Sequence, residues 1–138
     1  MKKALFVIIV CIALVVISCG CTEQSNFFGS GNTVTLITHT RMFDFSTGQI
    51  ITQEETTEDI DVLAIKNDNK ATLKACNDAG IKLPDEDEYG YYVEVPVGGK
   101  CYVKDSEGGI ATVTVTGIGK TEDDLPTATI TWSYAPGS

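Results

Sequence analysis

Ile110-Ala-Thr-Val-Thr-Val-Thr116 and Thr127-Ala-Thr-Ile-Thr-Trp-Ser-Tyr134 are the stretches whose reading decides the fold. In the first, Ala111, Val113 and Val115 alternate with Thr112, Thr114 and Thr116. In the second, Ala128, Ile130, Trp132 and Tyr134 alternate with Thr127, Thr129, Thr131 and Ser133. Successive side chains of a strand point to opposite faces, so period two marks two half-buried strands, apolar face inward and hydroxyl face outward. Their closeness in sequence predicts antiparallel pairing. The threonine faces carry little apolar area and read as solvated sheet surface.

Upstream, Tyr91 to Val97 and Cys101 to Lys104 flank Gly98-Gly99, a two-residue hairpin signal. Pro96 has no N–H to give a ladder and predicts an edge position or a bulge. Val34 to Phe45 and Gln49 to Gln53 flank Ser46-Thr47-Gly48, a second hairpin signal, and Ile60 to Ile65 is a further strand candidate. Asn67-Asp68-Asn69 is a run of helix-capping residues, Lys70 to Ala79 holds helix formers, and Gly80 stands where a helix would stop. The reading there is one helix, with Leu73 and Cys76 on a shared face. The fold class expected is α+β, mostly β. It is an antiparallel sheet of about five to seven strands with one short helix, forming a single β-rich domain over 33–138. There is no internal repeat.

The N-terminus decides where this domain resides. Lys2 and Lys3 precede an apolar run from Ala4 to Ile17, and Ser18-Cys19-Gly20-Cys21 closes it with small residues. That order is a secretory signal: a basic head, an apolar helix, a small-residue cleavage zone. The run is shorter than the ~20 residues a bilayer span needs. Val16-Ile17-Ser18-Cys19 resembles the lipobox of prokaryotic lipoproteins. The resemblance implies cleavage before Cys19 and acylation of its thiol, with 1–18 as signal peptide and Cys19 as the anchor. An uncut membrane anchor and ordinary cleavage after Gly20, with full secretion, are the rival readings. Residues 19–32 read as a tether, rich in Ser, Asn and Gly and interrupted by Phe27 and Phe28. The localisation expected is exported, anchored on the outer side of the cytoplasmic membrane or at the cell surface, with the membrane itself as first partner.

The chain has 138 residues and a formal charge of −9. Without Lys2 and Lys3 the balance is 8 basic against 19 acidic residues, a formal −11. Such a surface repels DNA, RNA and anionic headgroups, so nucleic acid is not an expected partner. Of the five cysteines, Cys76 and Cys101 are the two inside the folded region. In an oxidising compartment they are expected to pair, a crosslink of roughly 3 to 4 kcal/mol in the chain-entropy model. Cys21 is left for an interchain bond, a second acylation or a reduced thiol.

Several chemical motifs fail on inspection. Gly119-Lys120-Thr121 follows a strand as a phosphate-binding loop does, but the required earlier glycine is Thr114, and Glu122-Asp123-Asp124-Leu125-Pro126 is a turn rather than a helix. Asp85, Asp87 and Gly90 match positions one, three and six of an EF-hand loop, while positions five and twelve are Tyr89 and Pro96. Asp85, Asp87, Asp123 and Asp124 therefore stand as weak candidates for a calcium site of another kind, with a solvated acidic loop as the preferred reading. No other cofactor is suggested. His39 is the single histidine; it cannot build a zinc site with a second one, and a catalytic triad would have to be assembled in space. Paired carboxylates for glycosidase chemistry can be chosen in too many ways to carry information. The aromatic set Tyr89, Tyr91, Tyr92, Tyr102, Trp132 and Tyr134 offers a binding face for sugar or peptide, against the preferred reading that Trp132 and part of the tyrosines fill the core.

The reading that results is non-enzymatic: an exported, membrane-tethered acidic surface module with a binding or structural role. The alternatives are a calcium-dependent binding module and, third, a small exported hydrolase. The partner-binding loop expected is Asp85, Glu86, Asp87 and Glu88 beside Tyr89, Tyr91 and Tyr92, facing an unknown protein or glycan.

Overall fold

The computed structural model describes residues 32–52, 57–67 and 69–137. The signal segment 1–18, Cys19, Cys21 and nearly all of the tether lie outside the described residues. The described residues form two five-stranded antiparallel sheets that face each other. Ten strands follow in chain order: β1 (Asn32–Ile37), β2 (Met42–Asp44), β3 (Gln49–Ile51), β4 (Ile60–Lys66), β5 (Lys70–Ala75), β6 (Gly80–Lys82), β7 (Tyr92–Pro96), β8 (Lys100–Lys104), β9 (Ile110–Lys120) and β10 (Pro126–Ala135). One sheet runs β1-β10-β9-β8-β6 and the other β3-β2-β4-β5-β7. Mostly β and antiparallel is the class expected from the sequence, but the single sheet expected is two sheets, because the apolar face of each needs the other to cover it.

The β9–β10 pair is the longest ladder. Trp132 sits opposite Val113, Ile130 opposite Val115 and Tyr134 opposite Ala111. The register shifts between Thr129 and Ile130, leaving Thr116 as an extra residue between Val115 and Gly117, a bulge that increases local twist. Ala111, Val113, Val115, Ala128 and Ile130 are fully buried and Trp132 nearly so. The facing sheet covers them with Phe43, Ile60, Val62, Ala71, Leu73, Val93 and Val95, and Leu36, Ile81 and Val103 complete the same core. Trp132 joins the sheets through its rings: its centroid lies 5.1 Å from Phe43 and 5.6 Å from Phe45, both tilted or edge-on.

Several expectations change. The helix over Lys70 to Ala79 is absent, and no helix occurs among the described residues. Ala71, Leu73 and Ala75 point inward, while Lys70, Thr72 and Lys74 are exposed or half-buried, so the segment is strand β5. Asn67 turns the chain in the left-handed region at φ 55°, so the supposed helix cap is the turn of the β4–β5 hairpin. Burial of a period-two face against a sheet outweighs the weak helix propensity of Ala, Leu and Lys.

Gly98-Gly99 does not close a hairpin. β7 pairs with β5, β8 pairs with β9, and the two glycines carry the chain from one sheet to the other, Gly98 at φ +85°. Val34 to Phe45 is likewise two strands, because Thr38 to Thr40 turn the chain between sheets. Pro96 does stand on an edge strand, β7. The helix that was to carry Cys76 toward Cys101 does not exist, and both are free thiols here. Cys101 is fully buried between the sheets, with burial pushing its thiol up to about 12. Cys76 is half-buried beyond the end of β5, its thiol raised to about 11, chiefly by burial. Asn32, the last residue assigned to the tether, opens β1.

Trp132→Ala removes the ring that touches both phenylalanines. It is expected to lower unfolding free energy by about 3 to 5 kcal/mol, read from urea unfolding curves with unchanged slope; a loss under about 1 kcal/mol would mean that the sheets do not depend on this cluster.

Candidate functional site

Two adjoining features occupy one end of the sandwich. The first is an open groove of about 600 Å³ between the start of β6, the end of the β6–β7 loop and the β8–β9 turn. The loop is held by its own backbone: Ile81 and Gly90 exchange N–H···O bonds of 3.0 and 2.8 Å, and the Ala75 N–H donates to Tyr91 O at 2.7 Å. Within it, Glu86 is spent on structure. Its Oε2 accepts the Leu83 N–H at 2.8 Å, and its carbonyl accepts from Lys82 Nζ at 3.1 Å.

Tyr89 lies half-buried with the ammonium groups of Lys82 and Lys104 at 5.2 and 5.9 Å from its ring centre. A cation over a tyrosine face is attracted by the ring quadrupole. Gly80 permits this seat, because a Cβ there would come 2.7 Å from the Tyr89 Cβ. Tyr91 projects with 82% of its surface exposed. Tyr89, Tyr91, Lys104, Asp78 and the backbone of Gly80 and Gly90 are the walls a ligand would touch.

The predicted loop is thus divided. Its tyrosines Tyr89 and Tyr91 line the groove, while Asp85, Glu86, Asp87 and Glu88 are exposed and do not line it. Tyr92 is 64% exposed on the outer face of the edge strand β7, also outside the groove. Asp85 and Asp87 sit in the β6–β7 loop and Asp123 and Asp124 in the β9–β10 turn. Among the described residues, no group of three or more His, Cys, Asp or Glu is arranged to hold a metal ion.

The second feature, a small cavity of about 130 Å³, shares Asp105 and Ser106 with the groove. Asp44, Asp59, Asp105 and Glu107 line it. Three of these carboxylates organise backbone. Asp44 Oδ1 accepts from the N–H groups of Ser46 (2.9 Å) and Thr47 (3.2 Å) and from Ser46 Oγ (2.7 Å). Asp59 Oδ2 accepts the Phe45 N–H at 2.8 Å. Asp105 Oδ1 accepts from Glu107 N–H (3.0 Å) and Gly109 N–H (2.8 Å), and its Oδ2 takes the Tyr134 hydroxyl.

Burial pushes Asp59 from its ordinary 3.8 up to about 7. The Phe45 N–H opposes that shift, and the charges of Asp44, Asp105 and Glu107 add to it. Burial, with the bond to Asp105, also raises the Tyr134 phenol. Sequence reasoning missed these acids. The available signal was the aspartate at each strand end followed by turn formers, Asp44-Phe-Ser46 and Asp105-Ser-Glu-Gly108, a side-chain-capped turn pattern.

His39 lies elsewhere, exposed in the β1–β2 turn at φ 54°. Its Nδ1 is 3.1 Å from Asp61 Oδ2, and its N–H reaches both Asp61 oxygens. Asp61 is buried, and burial raises its pKa against the pull of the His39 N–H and ring. A carboxylate beside an imidazole is the pairing by which a catalytic triad orients its histidine. Among the described residues, no hydroxyl or thiol is hydrogen-bonded to the imidazole.

Compared with protein-family models, with curated proteins and with solved structures, the chain matches none. Among the described residues no helix is long and apolar enough to cross a membrane.

Asp105→Ala strands the buried Gly109 N–H, the half-buried Glu107 N–H and the Tyr134 hydroxyl. A loss of about 2 to 3 kcal/mol is expected, measured by urea unfolding, with Asp105→Asn recovering part of it. Equal stability of the alanine variant would show that the turn holds itself.

Proposed function

We propose that this chain is an exported, membrane-tethered surface module that binds a saccharide in the Tyr89–Tyr91 groove. The observation that carries the reading is the groove itself. An almost fully exposed tyrosine stands beside a half-buried one, pinned to a rigid two-sheet scaffold and bordered by Lys104 and Asp78. A sugar ring has a C–H face that lies on an aromatic ring and hydroxyls at its rim that need charged or amide partners. Tyrosine offers apolar area with a polar tip, and ligand sites add a small number of placed polar groups to such area. Loops on a rigid scaffold carry binding disproportionately.

The anchoring part of the proposal rests on the lipobox-like Val16-Ile17-Ser18-Cys19. Two or more acyl chains hold a protein on a bilayer where one gives marginal binding, and the segment after Cys19 provides reach. The acidic exterior suits a module displayed in water, since a like-charged surface resists association. Asp85, Asp87 and Glu88 belong to the groove's loop without lining the groove and would disfavour anionic sugars, so neutral or amino sugars are the class favoured.

Two measurements test this. A glycan array probed with detergent-extracted full-length protein is expected to give neutral or amino-sugar hits. Tyr91→Ala should weaken them at least tenfold, about 1.4 kcal/mol, and leave melting unchanged. An array without hits, or hits indifferent to Tyr91, overturns the groove assignment. Mass spectrometry of the mature N-terminus is expected to find an acylated Cys19; an intact Met1 or an unmodified Cys21 terminus overturns the anchor.

A further inference from the structure

The carboxylate cavity joins parts of the molecule that the chain does not join. Asp44 closes β2 in one sheet, Asp59 leads into β4 of that sheet, and Asp105 and Glu107 belong to the β8–β9 turn of the other. Asp44, Asp59 and Asp105 are 4 to 5% exposed. Among the described residues no lysine or arginine lines the cavity. Each of the three aspartates holds turn or strand backbone through at least one oxygen, so none can swing out to water without giving up N–H bonds. Like charges confined in a poorly solvated space do not all ionise; one retains its proton.

We infer that this cavity is a proton-operated latch between the two sheets: with a proton on Asp59 the β2 and β8–β9 turns close on each other, and loss of that proton loosens this end of the sandwich.

The groups facing Asp59 come from every side and are acidic or neutral. Asp44 faces it from the β2 turn, Asp105 and Glu107 from the β8–β9 turn, Tyr134 from β10 and Cys76 from the turn after β5; Glu58 and Asp61 flank it on its own segment. Protonation removes one of the clustered negative charges and gives Asp59 an O–H to donate inside the cavity. Deprotonation leaves the carboxylates repelling one another with no compensating cation.

The folded pKa lies above the unfolded one, so the stabilisation is fully present below about 3.8 and is lost as pH rises through about 7. For one linked proton this raises the folding constant roughly thirty-fold between pH 8 and pH 5.5. Asp61 is raised as well and contributes in the same direction, so the test compares variants rather than raw curves. Asp59→Asn keeps an oxygen for the Phe45 N–H and cannot titrate. The cavity shares Asp105 and Ser106 with the groove, but the latch does not depend on what the groove binds.

The experiment follows the full chain in detergent by carboxyl-carbon NMR, by urea unfolding and by hydrogen exchange. Asp59 is expected to titrate near pH 7. The ratio of folding constants, wild type over Asp59→Asn, should rise roughly thirty-fold from pH 8 to 5.5. Exchange at the Phe45, Glu107 and Gly109 amides, corrected for intrinsic rate, should accelerate at pH 8 in wild type and not in the variant. An Asp59 midpoint below pH 5 overturns the latch, and that reading survives even if Asp59→Asn fails to fold. A pH-independent ratio, or equal amide protection at both pH values, overturns it as well.

Discussion

Trp132 is the constraint on which the two-sheet arrangement depends. A strand with a period-two apolar face cannot stand alone in water, and the β9–β10 ladder presents six such side chains on one face. Closing over that face requires a second sheet at about 10 Å. The largest inward side chain of the ladder therefore sets where that sheet touches. Phe43 and Phe45 meet its indole at 5.1 and 5.6 Å and each other at 5.1 Å. All three contacts are edge-on or tilted, the arrangement the ring quadrupoles prefer. The aromatic cluster thus fixes the end of β2, and with it the position of Asp44.

From there the chemistry changes from apolar to acidic within a single residue step. Phe45 is fully buried, and its N–H is the donor that Asp59 accepts. Asp44, one residue earlier, caps the turn that follows. The same backbone that seats an aromatic ring in the core therefore also seats two carboxylates at its border. Burial of a charged group is costly unless it is bonded. The N–H groups of Phe45, Ser46, Thr47, Glu107 and Gly109 provide that bonding. At Asp59 burial outweighs the single Phe45 N–H, and the neighbouring carboxylates add to it, so its pKa is driven up to about 7.

Much of the fold was legible because it is written in alternation. Ala111 to Thr116 and Thr127 to Tyr134 read correctly as paired strands, and Trp132 as core. The β5 error has a physical source: Ala71, Leu73 and Ala75 have the right period for a strand, but the surrounding Lys and Ala residues are good helix formers and Asn67-Asp68-Asn69 suits a cap as well as a turn. Propensity is a weak prior once a sheet is available to cover an apolar face. Gly98-Gly99 illustrates a different limit. A glycine pair says that the chain turns, and only tertiary pairing says that β7 and β8 go to different sheets. The site was partly legible. Tyr89 and Tyr91 were singled out with the acids beside them, but the acids that converge are Asp44, Asp59 and Asp105, far apart in sequence and brought together by the topology.

The edge strands explain why the groove lies where it does. β7 is an edge, and an edge exposes unpaired backbone that invites association. Here Pro96 removes one donor from it, and Lys66 reaches across to Glu94 at 2.7 Å, placing an ion pair on its outer face. β6 is an edge of only three residues, and the Gly90 bridge to Ile81 covers part of its free side. Both edges are thereby blunted near the point where the chain passes between the sheets. The β6–β7 loop must cross that gap, and it does so with Tyr89 packed over Gly80 and Tyr91 left in solvent. A segment that must stay ordered to shield an edge, yet lies outside the core, is a place where a sandwich can hold side chains rigidly in water, and rigid exposed aromatic rings are what a binding surface requires.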